Sequence, residues 1–275
     1  MAIERNVVAV PARLQSSRLA NKVLADIGGK PMIQRVLERC REAQGPCDVV
    51  LCTDSLQLQE LAQKWGFPVL ITAESCSSGS ERIASVADAL VGLAWEEDPS
   101  RWDPSLRSKR LSQTAVINVQ GDQPFLDPLI VTNMVREFQQ RASAPAVVTP
   151  VYRLSAETIH NPAVVKTLLA SDGRALYFSR SAIPHVRDVD PALWHLHAPY
   201  WGHVGMYGFR ADVLAGWDQL PHSPLEDLER LEQLRLIEAG YTIATFQVEG
   251  TSLSVDTAEQ LEQARLMAAA ELGEA

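Results

Sequence analysis

The sequence predicts an α/β fold, with a doubly wound, mostly parallel sheet and an added antiparallel lobe. Two patterns support this prediction. In the first half of the chain, short β-branched apolar runs alternate with segments whose apolar residues recur every three or four positions. From residue 146 onward, strand-like segments follow one another directly. The first pattern is typical of parallel strands joined by crossover helices, and the second of antiparallel pairing.

The elements of the first half are predicted from the spacing of apolar residues and from the loop signals that bound them. Strands are predicted at residues 7–10, 49–52, 69–71 and 115–119. Helices are predicted at residues 32–43, 56–65, 81–90 and 129–140. Residues 92–113 are rich in Trp, Asp, Pro, Ser and Arg and have no clear period, so we expect a surface insertion there.

The second half is predicted to add a lobe to the same domain. Strands are predicted at residues 146–152, 164–169 and 175–179, with a hairpin turn between the last two. Leucines spaced by three, from Leu225 to Leu234, predict one helix with a buried stripe. A strand at 241–248 and a helix from 257 are expected to return to the main core. We therefore predict one domain over 1–275, with the lobe at 146–210.

Composition and charge exclude several classes of function. The chain has 275 residues, 46% of them hydrophobic, and a formal net charge of -9, which argues against general nucleic-acid binding. Its four cysteines form no C-x-x-C pair, as expected of reduced thiols in a cytoplasmic protein. No apolar stretch approaches the roughly 18 residues of a membrane span. Because a strand-like segment follows the first few residues, we expect no signal peptide.

A cationic loop follows the first predicted strand. Arg13, Arg18 and Lys22 lie within ten residues, and the hydroxyl of Ser16 lies between them. The carboxyl end of a strand is where open α/β sheets bind ligands, and three cations suit a triphosphate. A solvated basic loop is the alternative interpretation.

Two well-known phosphate-binding motifs are absent from the sequence. Leu24 stands where a P-loop has its first glycine, and Pro31 follows the Gly29-Lys30 pair. No G-x-G-x-x-G motif follows the first predicted strand. The sequence therefore does not favour a P-loop enzyme or a dinucleotide-dependent dehydrogenase.

Two carboxylates that are far apart in sequence are both predicted at strand ends. Asp122 follows the strand at 115–119, and Asp256 follows another apolar segment. Together they could hold Mg²⁺, which takes hard oxygen ligands and usually shares them with substrate phosphates. Taken singly, Asp122 could equally be a turn former, and Asp256 the N-cap of the last helix.

Other polar residues also have a structural interpretation beside the functional one. Ser80 could cap a helix as readily as contact a base. His203 could be a strand histidine with a satisfied ring, and Glu232 and Gln233 could be surface residues. No H-E-x-x-H or C-x-x-C pattern indicates a zinc site.

Taken together, the motifs of the chain become specific. They are PARLQSSRLANK at 11–22, GKPM at 29–32, TD at 53–54, SGSER at 78–82, NVQGD at 118–122, ALYFSR at 175–180, IP at 183–184, HVGMY at 203–207, SPLE at 223–226, LEQLR at 231–235 and VDT at 255–257. In order and wording they resemble the 3-deoxy-manno-octulosonate cytidylyltransferases, also called CMP-Kdo synthetases, over nearly the whole chain.

The resemblance implies an activity, a cofactor and a set of site residues. The activity is transfer of CMP from CTP to the anomeric hydroxyl of the acid sugar Kdo, giving CMP-Kdo and pyrophosphate for lipopolysaccharide-type glycans. The implied nucleotide-binding residues are Arg13, Ser16, Arg18, Lys22, Ser80, Arg82 and Gln120. The implied ligands for Mg²⁺ are Asp122 and Asp256, which with Arg13 and Lys22 form the catalytic set. The implied sugar-binding residues are Arg180, His203, Tyr207, Glu232 and Gln233. We also expect a homodimer, with dimer contacts in the 146–210 lobe.

The chain departs from the family pattern at three places. The segment 92–113 is longer than expected, and it could serve a partner, a dimer contact or a lid. Ala20-Asn21 replaces the usual Pro-Gly before the loop lysine, and Gln123 replaces an acid after Gly-Asp. Two alternatives remain open. One is a cytidylyltransferase for a related acid sugar, such as 8-amino-Kdo or a sialic-type sugar. The other is a non-catalytic nucleotide-sensing module, against which the retention of both Asp122 and Asp256 argues.

Overall fold

A computed structural model describes residues 2–15, 19, 21–140, 144–250 and 253–273. The strands are β1 (Arg5–Ala12), β2 (Asp26–Ile27), β3 (Lys30–Pro31), β4 (Asp48–Thr53), β5 (Val69–Ile71), β6 (Thr114–Asn118), β7 (Val147–Arg153), β8 (Lys166–Leu169), β9 (Ala175–Ser179), β10 (Trp201–His203), β11 (Tyr207–Arg210) and β12 (Ile243–Gln247). The helices are α1 (Met32–Arg41), α2 (Leu56–Lys64), α3 (Gly79–Ala84), α4 (Ala87–Trp95), α5 (Pro104–Ser112), α6 (Pro128–Gln140), α7 (Ala211–Ala215), α8 (Pro224–Glu229), α9 (Gln233–Glu238) and α10 (Ala258–Gly273).

The chain forms two compact units. The first comprises residues 1–144, 208–217 and 252–275, and the second residues 145–207 and 218–251. The second unit therefore begins where the lobe is predicted to begin. It also includes the segment 218–251, which the sequence analysis assigned to the main core.

The sheet of the first unit has the strand order β5, β4, β1, β6, β11. β1 pairs in parallel with both β4 and β6, and β4 pairs in parallel with β5. Val7, Val8 and Val10 of the central strand are fully buried, as the run of β-branched residues predicts. Helices flank this sheet, and β2 and β3 form a small antiparallel pair of their own. The predicted doubly wound, mostly parallel α/β fold is confirmed.

The helix predicted at 81–90 is divided into two. α3 ends at Ala84, and α4 begins at Ala87. The N-cap of α3 is Ser78, whose Oγ accepts a hydrogen bond from the backbone N–H of Glu81 at 3.1 Å. Ser80 is therefore not the cap, because it lies within the first turn of α3.

Residues 92–113 contain regular structure that the sequence analysis did not predict. A 3-10 turn covers Pro99–Arg101, and α5 covers Pro104–Ser112. Each begins with an Asp-Pro pair in which the carboxylate of Asp98 or Asp103 accepts a backbone hydrogen bond as the N-cap. These pairs start helices that the lack of a clear period did not indicate. That the segment is an insertion stays a prediction.

This segment is also anchored to the sheet. The indole N–H of Trp95 donates a hydrogen bond to Oγ1 of Thr114 on β6 at 2.8 Å. The guanidinium of Arg110 lies 3.8 Å from the centroid of the Trp95 ring, and Leu111 is buried. The segment therefore contributes to the core of the first unit as well as to its surface.

The sheet of the second unit has the strand order β12, β7, β10, β8, β9. β12 is parallel to β7, whereas β10 is antiparallel to both β7 and β8, and β8 is antiparallel to β9. The turn between β8 and β9 contains Gly173 at a left-handed φ of 81°, which glycine adopts without strain. The predicted antiparallel lobe and its hairpin are confirmed.

The predicted leucine helix is wrong as a single element. Arg230 adopts a left-handed φ of 55°, which ends α8 before α9 begins. Leu231 and Leu234 are buried, but Leu228 is 80% exposed. The spacing of three is therefore interrupted, and the four leucines do not share one buried face.

Two further observations bear on the sequence expectations. Over the ranges that the structure describes, no helix combines the length and the apolar character needed to cross a bilayer. The cysteines are unpaired; Cys40, Cys52 and Cys76 are buried, and Cys47 is exposed.

Candidate active site

The carboxyl ends of three neighbouring parallel strands lie at one edge of the first unit's sheet. Ala12 of β1 lies beside Thr53 of β4, and Ala9 of β1 lies beside Asn118 of β6. The cationic loop leaves β1 at this edge, and the Gln-Gly-Asp turn leaves β6 there. Ligands of open α/β sheets bind at such an edge.

A cavity of about 260 Å³ lies at this edge. It is lined by the loop after β1, by the start of α3, by the turn after β6 and by the residue two before α10. The predicted site residues in its lining are Arg13, Lys22, Arg82, Gln120, Asp122 and Asp256. Two other predicted residues, Ser16 and Arg18, lie outside the described residues.

Lys22 lies between the two predicted metal ligands. Its Nζ donates to Oδ2 of Asp122 at 2.8 Å and to Oδ1 of Asp256 at 2.9 Å. The lysine side chain is 12% exposed, and the two carboxylates are 22% and 34% exposed. One ammonium thus holds two carboxylates from distant parts of the chain within reach of a single point.

The electrostatics of Lys22 follow from its two partners. Burial alone lowers the pKa of the ammonium, but the charges and hydrogen bonds of Asp122 and Asp256 outweigh burial and raise the pKa above its ordinary value. Lys22 is therefore a cation at neutral pH, and it offsets the repulsion between the two carboxylates.

The backbone before Lys22 has a left-handed conformation at Asn21. Asn21 adopts the left-handed conformation, with φ of 52° and ψ of 31°, directly before the 3-10 turn that carries Lys22. Glycine takes this conformation without strain, and asparagine is among the few other residues that tolerate it. Asn21 can therefore adopt the conformation that precedes Lys22 at little cost.

Asp256 is not the N-cap of the last helix. Thr257 caps α10, because its Oγ1 accepts from the N–H of Gln260 at 3.3 Å while Oε1 of Gln260 accepts from the N–H of Thr257 at 3.0 Å. The same Oε1 accepts from the N–H of Asp256 at 2.8 Å. This capping box leaves the Asp256 carboxylate to face the cavity. The N–H of Val255 also donates to the carbonyl of Asp122 at 2.9 Å, which joins the two acidic segments.

Arg82 has a structural partner as well as a place in the cavity lining. Its side chain is 3% exposed, and Nη2 donates to Oδ2 of Asp54 at 2.7 Å. Nη1 donates to the hydroxyl of Thr72. The ion pair ties α3 to the segment after β4, so Arg82 shapes the cavity wall.

Close packing at Gly79 and Gly121 brings together the start of α3, the end of β1 and the turn after β6. A Cβ on Gly79 would lie 2.9 Å from Oε1 of Gln120, and a Cβ on Gly121 would lie 3.1 Å from the carbonyl oxygen of Pro11. Nε2 of Gln120 donates to Oδ1 of Asn118 at 3.1 Å. Among the described residues, Ser80 is the predicted nucleotide contact that does not line the cavity; its hydroxyl accepts from Asn118 at 3.2 Å.

The donor set fits Mg²⁺. Asp122 and Asp256 supply two hard oxygen ligands around one point, and Mg²⁺ typically takes one or two carboxylates together with substrate phosphates. No group of three or more His, Cys, Asp or Glu side chains suited to a metal occurs among the described residues. The arrangement therefore fits a metal that is shared with a phosphate ligand.

In the second unit, three of the predicted sugar-binding residues form one cluster. The ring of His203 lies 5.3 Å from that of Tyr207, and the Tyr207 hydroxyl donates to Oε1 of Gln233 at 2.8 Å. Burial, together with the charge of Glu232, raises the pKa of Tyr207 well above its ordinary value. Gln233 is 2% exposed, and its Nε2 has no hydrogen-bond partner among the residues that the structure describes. A buried amide donor without a partner is suited to a ligand oxygen.

Arg180, which is with Glu232 one of the two other predicted sugar-binding residues, is held by Glu229. Its Nε donates to the carbonyl of Glu229 at 2.8 Å, and its backbone N–H donates to Oε2 of Glu229 at 2.9 Å. Nη1 donates to the carbonyl of Pro162 at 3.2 Å. The ammonium of Lys166 donates to the carbonyl of Arg180. The sequence analysis missed Glu229 and Lys166, because nothing in the local sequence indicates these long-range partners.

Comparison with known proteins places the chain in a family. The model of the family described as Cytidylyltransferase matches residues 7–243. The chain is 38% identical to the 3-deoxy-manno-octulosonate cytidylyltransferase of Idiomarina loihiensis, over 95% of this chain and 97% of that protein. It is 36% identical to that of Escherichia coli, over 99% of each.

A solved structure gives the same result. It is that of CMP:2-keto-3-deoxy-manno-octonic acid synthetase complexed with CTP, with a TM-score of 0.84 and 36% identity. The likeness covers 98% of this chain and 100% of that one. The chain therefore belongs to the 3-deoxy-manno-octulosonate cytidylyltransferase family.

Proposed function

We propose that this chain transfers CMP from CTP to the anomeric hydroxyl of Kdo and releases pyrophosphate. The observation that carries the proposal is the convergence of Lys22, Asp122 and Asp256 in a cavity at the carboxyl edge of a parallel sheet. This cavity joins cationic and anionic groups, as nucleotidyl transfer to a triphosphate requires. Family membership supports the choice of nucleotide and sugar.

The residues of the first unit serve the phosphates. In the proposed reaction the sugar hydroxyl attacks the α-phosphorus, and pyrophosphate leaves in line. Arg13 lines the cavity and can grip phosphate oxygens with two parallel hydrogen bonds. Lys22 can follow the charge that develops on the departing pyrophosphate. Alignment and charge stabilisation account for most of the catalysis in such transfers.

We propose that Asp122 and Asp256 hold Mg²⁺ during this reaction. Bound Mg²⁺ supplies positive charge to the triphosphate oxygens and so lowers the repulsion that an anionic nucleophile meets. The two carboxylates would then hold the metal in place of the Lys22 ammonium. The ammonium would in turn be available to the leaving phosphates.

The residues of the second unit serve the sugar in this proposal. Nη2 of Arg180 is the guanidinium nitrogen that makes no hydrogen bond to the described residues, so it can donate to the sugar carboxylate. Nε2 of Gln233, which has no partner in the described part of the chain, and the carboxylate of Glu232 suit sugar hydroxyls. A polar site of this kind rejects ligands that lack the matching group more strongly than an apolar pocket does.

The chain is proposed to act in the cytoplasm, on a sugar that is destined for lipopolysaccharide-type glycans. Four unpaired cysteines suit a reducing compartment. Its partners are the small molecules CTP and Kdo. We propose no nucleic-acid partner and no membrane partner. The net charge of -9 argues against nucleic-acid binding.

A pyrophosphate-release assay with CTP, Mg²⁺ and Kdo tests the proposed reaction. We expect turnover that depends on all three, and weaker turnover with 8-amino-Kdo or a sialic-type sugar. Asp122→Asn and Asp256→Asn should each keep the fold and lose about 10²- to 10³-fold in turnover, because an anionic ligand is removed without a change of shape. Asp48→Asn is the matched control, since Asp48 is exposed at the opposite end of β4.

Absence of pyrophosphate release with every acid sugar would contradict the reaction. Near wild-type turnover of either active-site variant, with unchanged Mg²⁺ dependence, would show that the residue is not a metal ligand. Circular dichroism of both variants separates a lost ligand from a lost fold.

Lys22→Met should strengthen Mg²⁺ binding in the absence of nucleotide while abolishing most turnover. The metal then no longer displaces an ammonium from Asp122 and Asp256, and hydrogen bonds to charged groups are each worth about 1.5–3 kcal/mol. We expect at least a roughly tenfold gain in affinity by titration calorimetry. Lys30→Met is the control, because Lys30 pairs with Glu38. Unchanged or weaker binding in Lys22→Met would place the metal elsewhere.

Arg180→Lys should raise the KM for Kdo by roughly tenfold and leave the KM for CTP nearly unchanged. A lysine cannot keep the bond to the Glu229 carbonyl and also present a planar donor group to a carboxylate. Initial-rate kinetics with each substrate varied in turn measure the two constants. Arg174→Lys, in the exposed β8–β9 turn, is the matched control. A rise in the KM for CTP alone would assign Arg180 to the nucleotide.

The homodimer is a further part of the proposal. Four leucines of the second unit are exposed, namely Leu176, Leu193, Leu196 and Leu228. Exposed apolar side chains of this kind are candidates for a subunit interface. Sedimentation equilibrium should give twice the 30.2 kDa mass of one chain, and Leu196→Glu should lower it. A single-chain mass for the wild type at micromolar concentration would contradict the dimer.

A further inference from the structure

The imidazole of His203 is held on three sides within the second unit. His203 ends β10, and its ring forms a T-shaped pair with the ring of Phe178 at a centroid distance of 5.0 Å. Tyr207 packs against it at 5.3 Å. Nε2 lies 2.9 Å from Oγ1 of Thr149 on the neighbouring strand β7. Among the described residues, none makes a hydrogen bond to Nδ1.

The proton of the Thr149 hydroxyl has a defined acceptor. Oγ1 lies 2.7 Å from the carbonyl oxygen of Met206 and 3.4 Å from that of Val204. A hydroxyl has one proton to donate, whereas a carbonyl oxygen can only accept. The short separation from Met206 requires that proton, because two oxygens at 2.7 Å with no proton between them repel each other. The hydroxyl of Thr149 is therefore left to accept from His203.

We propose that Thr149 is a positioning residue that fixes neutral His203 with its proton on Nε2, so that Nδ1 accepts a hydrogen bond from a hydroxyl of the sugar. This inference rests on the function proposed above. A single buried threonine thus determines which of the two ring nitrogens of His203 carries the proton.

Two features make this assignment strict. Thr149 is fully buried on β7, so no water competes for its hydroxyl. Burial also lowers the pKa of His203 to about 3, so the ring is neutral at physiological pH and carries one proton only. With that proton on Nε2, Nδ1 must be an acceptor.

The position of the proton on His203 determines which groups of the sugar its ring can bind. An Nδ1 acceptor attracts a hydroxyl or amine hydrogen and repels a carboxylate. The guanidinium of Arg180 has the opposite preference. His203 and Arg180 thus distinguish the acid group of the sugar from its hydroxyls by opposite electrostatic preferences, although His203 carries no charge.

The tautomer can be measured directly in the ligand-free full chain. With ¹⁵N-histidine labelling, the ring nitrogens of His203 are identified by comparison with His203→Gln. We expect one protonated nitrogen at Nε2 and one unprotonated nitrogen at Nδ1. Thr149→Ser should keep this pattern, whereas Thr149→Val, which keeps the shape and removes the acceptor, should show both tautomers. Protonation at Nδ1, or at both nitrogens, in the wild type would overturn the proposal.

Kinetics test the link from the tautomer to the sugar. Thr149→Val should raise the KM for Kdo by roughly tenfold and leave the KM for CTP unchanged, because the acceptor is present only part of the time and a buried donor loses its partner. Thr149→Ser should restore the wild-type KM for Kdo. Loss of the tautomer in Thr149→Val with an unchanged KM for Kdo would overturn the positioning role while leaving the proposed function intact. Absence of turnover in the wild type would instead contradict the proposed function, and the tautomer measurement would still decide the state of His203.

Discussion

The candidate nucleotide site depends on the ion triplet of Lys22, Asp122 and Asp256. Its members come from the loop after β1, the turn after β6 and the segment before α10. Asp122 and Asp256 follow Lys22 by 100 and 234 positions in sequence. Two carboxylates that lie close together in a partly buried site repel each other. Removing one partner of a buried ion pair is strongly destabilising, because it leaves an uncompensated buried charge. The lysine therefore permits the two acids to be kept close together before any ligand arrives.

The triplet in turn sets requirements on the backbone around it. The carboxylate of Asp256 is available only because Thr257 and Gln260 cap α10 without it. Lys22 reaches the acids only because Asn21 turns the chain through the left-handed region. The carbonyl of Asp122 is bonded to the N–H of Val255, so the two acidic segments are also joined through the backbone. These backbone contacts hold the two carboxylates close together before a ligand binds.

Local sequence determined most elements but not their breaks or their distant partners. The strands at Val69–Ile71 and Ala175–Ser179 have the predicted bounds, because alternation and turn residues act over a few positions. The break of the leucine helix at Arg230 was not predicted, because helices usually end at a left-handed glycine or asparagine rather than an arginine. Asp122 and Asp256 were predicted to hold one metal ion together, but their ion pairs with Lys22 were not predicted. The supports of Arg180 and His203 were also missed, since Glu229 and Thr149 are distant in sequence and carry no motif of their own.

The two units control charge in different ways, and this difference explains why their residues were unequally visible in the sequence. In the first unit, full charges balance by pairing, and a loop with three cations in an acidic chain is visible in the sequence. In the second unit, His203 is made neutral by burial, and its polarity is set by one hydroxyl hydrogen bond. A tautomer leaves no trace in composition or charge pattern. Recognition of neutral hydroxyls therefore has to be read from hydrogen-bond geometry, whereas recognition of phosphates can be predicted from the positions of charged residues.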